Sequence, residues 1–208
     1  TCTPDFLRAV SVEAKKDAVG IHIHLSETKK ETEDIREQYG LTPVELCAEA
    51  GLFDVHVLAA HCVHLTKRDI EILAEGNAAV AHNPESNLKL GSGVAPVPAM
   101  LRQGVAVALG TDGAASNNNL NLLEEMHVAA LLHKGIYLDP TVVTASDALR
   151  MATVNGAYAL GLKDTGVLKP GCKADLILMD FDQAHLTPRW DTLSHIAYSA
   201  SSADIKTM

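Results

Sequence analysis

Four hydrophobic runs in this chain each stop at a side chain fit for chemistry. They are Ile21-His22-Ile23-His24-Leu25-Ser26-Glu27, Val57-Leu58-Ala59-Ala60-His61, Ala79-Val80-Ala81-His82-Asn83 and Val105-Ala106-Val107-Ala108-Leu109-Gly110-Thr111-Asp112. Parallel β/α barrels carry their reacting groups at the C-terminal ends of their strands, so this pattern constrains architecture and site together.

The segments between the runs read as helices. Thr3-Pro4-Asp5 sets a capping hydroxyl before a proline at the first helical position, and Phe6, Leu7 and Val10 follow at helical spacing, predicting a helix to about Lys16. Glu31 to Gln38 is charged and helical; Thr42-Pro43-Val44-Glu45 is a capping box opening a helix to Ala50, and Thr66-Lys67-Arg68-Asp69 opens another that closes at Gly76. Further helices are expected over 96–102, 122–132 and 144–160. Residues 82–93 hold Pro84, Gly91 and Gly93 and read as an irregular loop, and Ser116 to Asn119 as a polar, flexible one. In the first strand, expected over Val19 to Leu25, Ile21, Ile23 and Leu25 share one face and His22 and His24 the other; in the fourth, Ala106, Ala108, Gly110 and Asp112 share a face.

The fold class is therefore α/β. About four β/α units are present where a closed (β/α)8 TIM barrel has eight, so the chain reads as half a barrel with both ends cut. From Gly166 the texture changes, with a turn at 166–171 and strands expected over 174–180 and near 203–208. Residues 1–163 are assigned to the partial barrel and 164–208 to the start of a small β-rich domain. A half barrel exposes strand edges, which predicts self-association or pairing with the missing half.

Composition excludes several classes of partner. A formal charge of -9, with Lys and Arg scattered, offers no face for a nucleic acid polymer. No apolar run approaches the ~20 residues needed to span a bilayer, and the N-terminus has no signal pattern. Cys2, Cys47, Cys62 and Cys172 lie far apart without a C-x-x-C pair, which points to reduced thiols and a cytoplasmic location.

The strand ends supply the candidate site. His24 and Glu27 form H-x-x-E, so an imidazole can bind a metal while the carboxylate reaches a substrate; the bland alternative is a hydrogen-bonded histidine beside a capping acid. His61 can polarise a carbonyl or steady an oxyanion, or be hydrogen-bonded filler. Asp112 directly follows an apolar strand, where desolvating a carboxylate is costly without a cation or several donors. His82, with Asn83 and Asn87, contacts a polar ring or simply holds its loop. His22, His64, His127, His133, His185 and His195 read as packed or solvated.

The segments His24-Leu25-Ser26-Glu27-Thr28, Ala60-His61-Cys62, Ala81-His82-Asn83-Pro84-Glu85-Ser86-Asn87 and Gly110-Thr111-Asp112-Gly113-Ala114 resemble the amidohydrolase superfamily. Within it the chain is most similar to the C-terminal portion of the 5-methylthioadenosine/S-adenosylhomocysteine deaminases and their chlorohydrolase-like relatives. Gly171-Cys172-Lys173-Ala174-Asp175-Leu176 is similar to that family's return into its small β-domain. The resemblance implies one divalent metal, zinc or else ferrous iron, held by a first-strand H-x-H pair, a later histidine and an aspartate. His24 matches the later histidine, Asp112 the aspartate, Glu27 the proton shuttle and His61 the histidine on the reacting oxygen. His22-Ile23-His24 has the letters of the first-strand pair, but the Ser26-Glu27-Thr28 that follows fits the family's fifth strand instead.

The implied activity is hydrolytic deamination of an adenosine-type nucleoside, with Glu27, Asp112 and His82 on the substrate side. Two ligands of four predict little or no activity for the 208 residues alone. Open alternatives are a guanine, cytosine or triazine hydrolase of the same superfamily, or a non-catalytic half-barrel scaffold.

Overall fold

The computed structural model describes residues 2–76 and 78–207. They form two compact units, Thr1–Asn83 with Asn87–Val107 and Pro84–Ser86 with Ala108–Met208.

Up to Leu109 the chain alternates helix and strand: α1 (Pro4–Asp17), β1 (Ile21–Leu25), α2 (Lys29–Tyr39), α3 (Pro43–Glu49), β2 (Val57–His61), α4 (Lys67–Glu75), β3 (Ala79–His82), α5 (Pro84–Lys89), α6 (Val97–Arg102) and β4 (Ala106–Leu109). The strands make one sheet in the order β1-β2-β3-β4. β1 pairs with β2 in parallel, setting His24 opposite Ala60 and Leu25 opposite His61; β2 pairs with β3 in parallel, setting Ala60 opposite Ala81. Each parallel step requires a helical crossover, and these crossovers carry strong start signals. Thr3, Thr42 and Thr66 each accept a backbone N–H inside the helix they precede, and Thr42–Glu45 and Thr66–Asp69 close reciprocal capping boxes. Such caps are worth about 1 kcal/mol each.

The sheet and helices bury Leu25, Val44, Leu52, Val57, Leu73, Val80 and Met100 almost completely. Each side chain of that kind contributes roughly 1.5–3 kcal/mol on leaving water. Asp69 is buried among them and is satisfied by Thr42 Oγ1, Thr66 Oγ1 and the Thr66 backbone N–H, so α4's capping acid also ties it to α3.

Two local expectations are corrected in this stretch. Residues 84–89, expected to be irregular, form α5 with Pro84 as its first residue. A proline is compatible there, because the missing N–H has no intrahelical partner to lose. The first strand begins at Ile21, two residues after Val19.

The second unit contains α7 (Ala114–Asn117), α8 (Leu122–Tyr137), α9 (Ala145–Ala152), α10 (Val154–Ala159), β5 (Leu178–Met179), α11 (Thr192–Tyr198) and β6 (Ile205–Thr207). α8, α9 and α11 pack together through Met126, Ala129, Ala130, Ala148, Met151 and Ala197. The single helix expected over 144–160 is interrupted at Thr153, whose φ of -127° and ψ of -88° lie outside the helical basin. The strand expected over 174–180 is reduced to Leu178 and Met179, which pair antiparallel with β6. No helix among the described residues is long and apolar enough to cross a membrane.

Candidate active site

In the first unit the chain turns sharply where β1 and β2 end. Ser26, His61 and Cys62 all take positive φ, at 51°, 72° and 49°. Left-handed backbone at non-glycine residues costs on the order of 1–3 kcal/mol each and persists only where surrounding bonds hold it. The holding bonds are present. Ser26 C=O accepts from the N–H groups of Val63 and His64, at 3.0 and 2.9 Å, and Leu25 C=O accepts from Cys62 at 3.0 Å. The Glu31 carboxylate, in the first turn of α2, takes the Ser26 and Glu27 N–H groups at 3.3 and 2.8 Å, fixing the strand-to-helix turn that presents Glu27.

This geometry brings His24, Glu27 and His61 together. The His24 and His61 ring centroids are 5.1 Å apart, and each ring offers a nitrogen within 4.8 Å of one on the other. Glu27 Oε2 is 3.8 Å from His61 Nε2, and its Oε1 accepts from Ser92 Oγ at 3.3 Å. His24 is exposed, whereas His61 is buried. His61 Nδ1 is 2.8 Å from Asn87 Oδ1, which can only accept, so Nδ1 carries the proton and Nε2 is the nitrogen turned toward Glu27. The donor chemistry fits zinc, for which neutral imidazole nitrogens and carboxylate oxygens are ordinary ligands.

His82 ends β3 and is fully buried. His64 holds the nearby loop by a 2.8 Å contact from Nε2 to Ser92 C=O, in keeping with its structural reading. His22 is exposed on the same side of β1 as His24.

In the second unit Asp112 lies three residues past β4 with φ at +57°. Its Oδ2 accepts from Ser86 Oγ and Ser116 Oγ, both at 2.6 Å. Two hydroxyl donors on one oxygen stabilise the ionised carboxylate. Below it lies a group that the sequence did not single out. Glu125, from the first turn of α8, is fully buried and accepts from Asn117 Nδ2 and from the Glu85 N–H. Burial drives its carboxyl up to about 7, with the Glu85 N–H and the Asn117 amide pulling the other way. Asn117, expected in a flexible loop, is buried at the end of α7, and its Nδ2 also donates to Thr111 C=O at 2.9 Å. One signal was available for Glu125: it shares the stripe Glu125, Ala129, His133, every one buried, at the i, i+4, i+8 spacing of a helix face.

Comparison with known proteins places these features in a family. The Amidohydrolase family model matches residues 1–208. The 5-methylthioadenosine/S-adenosylhomocysteine deaminase of Pelotomaculum thermopropionicum is 56% identical over 208 residues, covering 100% of this chain and 48% of the relative. Among solved structures, an adenosine deaminase from Xanthomonas campestris with bound zinc matches at a TM-score of 0.95 and 37% identity, over 99% of this chain and 47% of that one. A zinc-complexed atrazine chlorohydrolase from Arthrobacter aurescens matches at a TM-score of 0.89 and 31% identity, over 98% of this chain and 45% of that one. The chain thus spans about half the length of the curated relatives it matches.

Proposed function

Since the chain belongs to the amidohydrolase family, we propose that it carries one half of a metal-dependent hydrolytic deaminase acting on adenosine-type nucleosides, S-adenosylhomocysteine or 5-methylthioadenosine. The observation that carries the reading is the meeting of His24, Glu27 and His61 at adjacent ends of parallel strands, in a chain 56% identical over its whole length to a protein named for that reaction. On this reading residues 1–163 form the C-terminal half of a (β/α)8 barrel and 164–208 begin a small β-rich domain. The exposed strand edges then favour pairing with a second copy or with the complementary half.

His24 and Asp112 are the proposed metal ligands, and the ion of choice is zinc. A zinc ion held there would supply a Lewis acid that makes water nucleophilic near neutral pH. The chain's own groups then divide the proton traffic. Asp112 accepts the proton of the attacking water. Glu27, oriented by Ser92 and by the Glu31-held turn, delivers a proton to the ring nitrogen beside the attacked carbon. His61, with its Nδ1–H committed to Asn87, takes up a proton at Nε2 and, so charged, steadies the oxygen that gains charge. Asp112 then passes its proton to the exocyclic amine, the carbon–nitrogen bond breaks and ammonia departs.

The test is turnover by zinc-loaded protein that carries this chain, read as ammonia release from S-adenosylhomocysteine, 5-methylthioadenosine, guanine and cytosine and as chloride release from a chlorotriazine. Turnover of the two adenosine derivatives is expected, falling at least ~100-fold with Glu27→Gln. Turnover confined to guanine, cytosine or the triazine would assign a different substrate, and none at all would leave the scaffold alternative. For the 208 residues alone, activity far below that of a protein of the relatives' length is expected.

A further inference from the structure

Asp112 sits at a junction whose hydrogen bonds close on themselves. Ser86 Oγ donates to Asp112 Oδ2 at 2.6 Å, and the preceding residue, Glu85, gives its N–H to Glu125 Oε2 at 3.1 Å. Glu125 Oε1 accepts from Asn117 Nδ2, and the same Nδ2 donates to Thr111 C=O, next to Asp112, at 2.9 Å. The Asn117 side chain is held in turn, its Oδ1 accepting from Asn119 N–H at 2.9 Å. One buried carboxylate thus ties together the two segments that determine where Asp112 points: the 84–86 segment that grips its carboxylate and the loop that sets its backbone.

Two physical features show that the arrangement is costly. Asp112 holds a left-handed φ of +57° without being glycine. Glu125 is a completely buried acid whose two recorded partners are both donors. Such partners favour the charged form, while burial raises the carboxyl to about 7 and the nearby Glu85 and Glu124 charges push the same way. A buried ionised group is rarely a gain in stability over a well-packed apolar side chain of similar size. What an apolar residue cannot do is accept from both Glu85 N–H and Asn117 Nδ2.

We propose that Glu125 is a positioning residue for Asp112, clamping the 84–86 segment and the Thr111–Asp112 backbone so that the Asp112 carboxylate keeps a single orientation. The proposal rests on the assignment of Asp112 as a metal ligand, and it adds a group that touches neither metal nor substrate. Groups that orient a ligand from outside typically carry 10- to 100-fold in metal affinity or activity.

The experiment compares Glu125→Gln, Asn117→Ala and Asp112→Ala in the 208-residue chain, each checked for folding by circular dichroism. Two quantities are read: zinc affinity by competition with a chromophoric chelator and, without zinc, the amide shift and three-bond HN–Hα coupling of Asp112. Glu125→Gln places an amide N–H opposite a donor. Asn117→Ala cuts the same circuit with the carboxylate intact, and it carries the test should the glutamine variant fail to fold. Both are expected to weaken zinc by ~10- to 100-fold and to shift the Asp112 amide and coupling in the metal-free chain. Zinc affinity within twofold of the wild type and an unchanged Asp112 signal in either folded variant, while Asp112→Ala removes binding, overturns the positioning role alone. Zinc binding that survives Asp112→Ala removes the ligand assignment beneath it, and the proposal with it.

Discussion

Replacing Asn87 by alanine should both destabilise the chain and change the proton position on His61. Both residues are about 1% exposed, and Asn87 Oδ1 is the partner of His61 Nδ1 at 2.8 Å. The other polar atom near Nδ1 is Asn83 Nδ2 at 3.5 Å, itself a donor, so it cannot take over the Nδ1–H. A buried donor left unsatisfied costs about 1–3 kcal/mol. A loss of ~2 kcal/mol corresponds to a fall of roughly 4–8 °C in melting temperature for a chain of this size. Long-range proton–nitrogen correlation spectra of the imidazoles read the second effect. Wild type should show His61 protonated at Nδ1, and Asn87→Ala a mixture in which Nε2 takes the proton. Asn87→Asp, which keeps an acceptor in place, should retain the Nδ1 tautomer. A stability change below ~0.5 kcal/mol with the His61 tautomer unaltered by alanine would refute the claim that Asn87 fixes the ring.

Two buried groups on α8 should oppose each other in acid. Glu125 is raised from 4.5 to about 7, so between those values the native chain holds a proton that the unfolded chain has lost, and its contribution grows as pH falls. His133 is lowered by burial from 6.5 to about 4, so the unfolded chain binds that proton first and its contribution is lost as pH falls. At 1.36 kcal/mol per unit each effect is about 3 kcal/mol, so they nearly cancel between pH 4.5 and 6.5. Urea unfolding of Glu125→Gln should therefore show a steep loss of stability across that interval where the wild type is nearly flat; parallel curves would contradict the assignment. Asp69→Ala should cost about 3 kcal/mol, because it strands the Thr42 and Thr66 hydroxyls and the Thr66 N–H at once, and an equilibrium unfolding curve within ~1 kcal/mol of wild type would show that these bonds are not needed.

What the sequence disclosed was governed by local chemistry. Thr3-Pro4, Thr42 to Glu45 and Thr66 to Asp69 each satisfy their own helix within four residues, so their consequences can be read without knowing the partner. Strand alternation separated His22 and His24 from Ile21, Ile23 and Leu25 in the same way. Pro84 misled because a proline reads as a breaker when its neighbours are asparagines and glycines, although position one of a helix accepts it. The 174–180 segment has strand-forming residues, yet a strand exists only as far as a partner reaches, and β6 offers three residues. Glu125 escaped notice for a similar reason. Glu124 and Glu125 look alike in the sequence, and only the helix phase, together with a donor from Asn117 eight residues earlier and another from Glu85 forty residues earlier, separates the buried acid from the exposed one.

The central claim is that His24 and Asp112 hold a divalent metal in a hydrolytic site. Its most direct test is the zinc affinity of the chain measured for wild type, His24→Ala and Asp112→Ala under identical conditions. Each substitution is expected to weaken binding by at least ~10-fold with the fold retained. Zinc held equally tightly by all three proteins would contradict the claim.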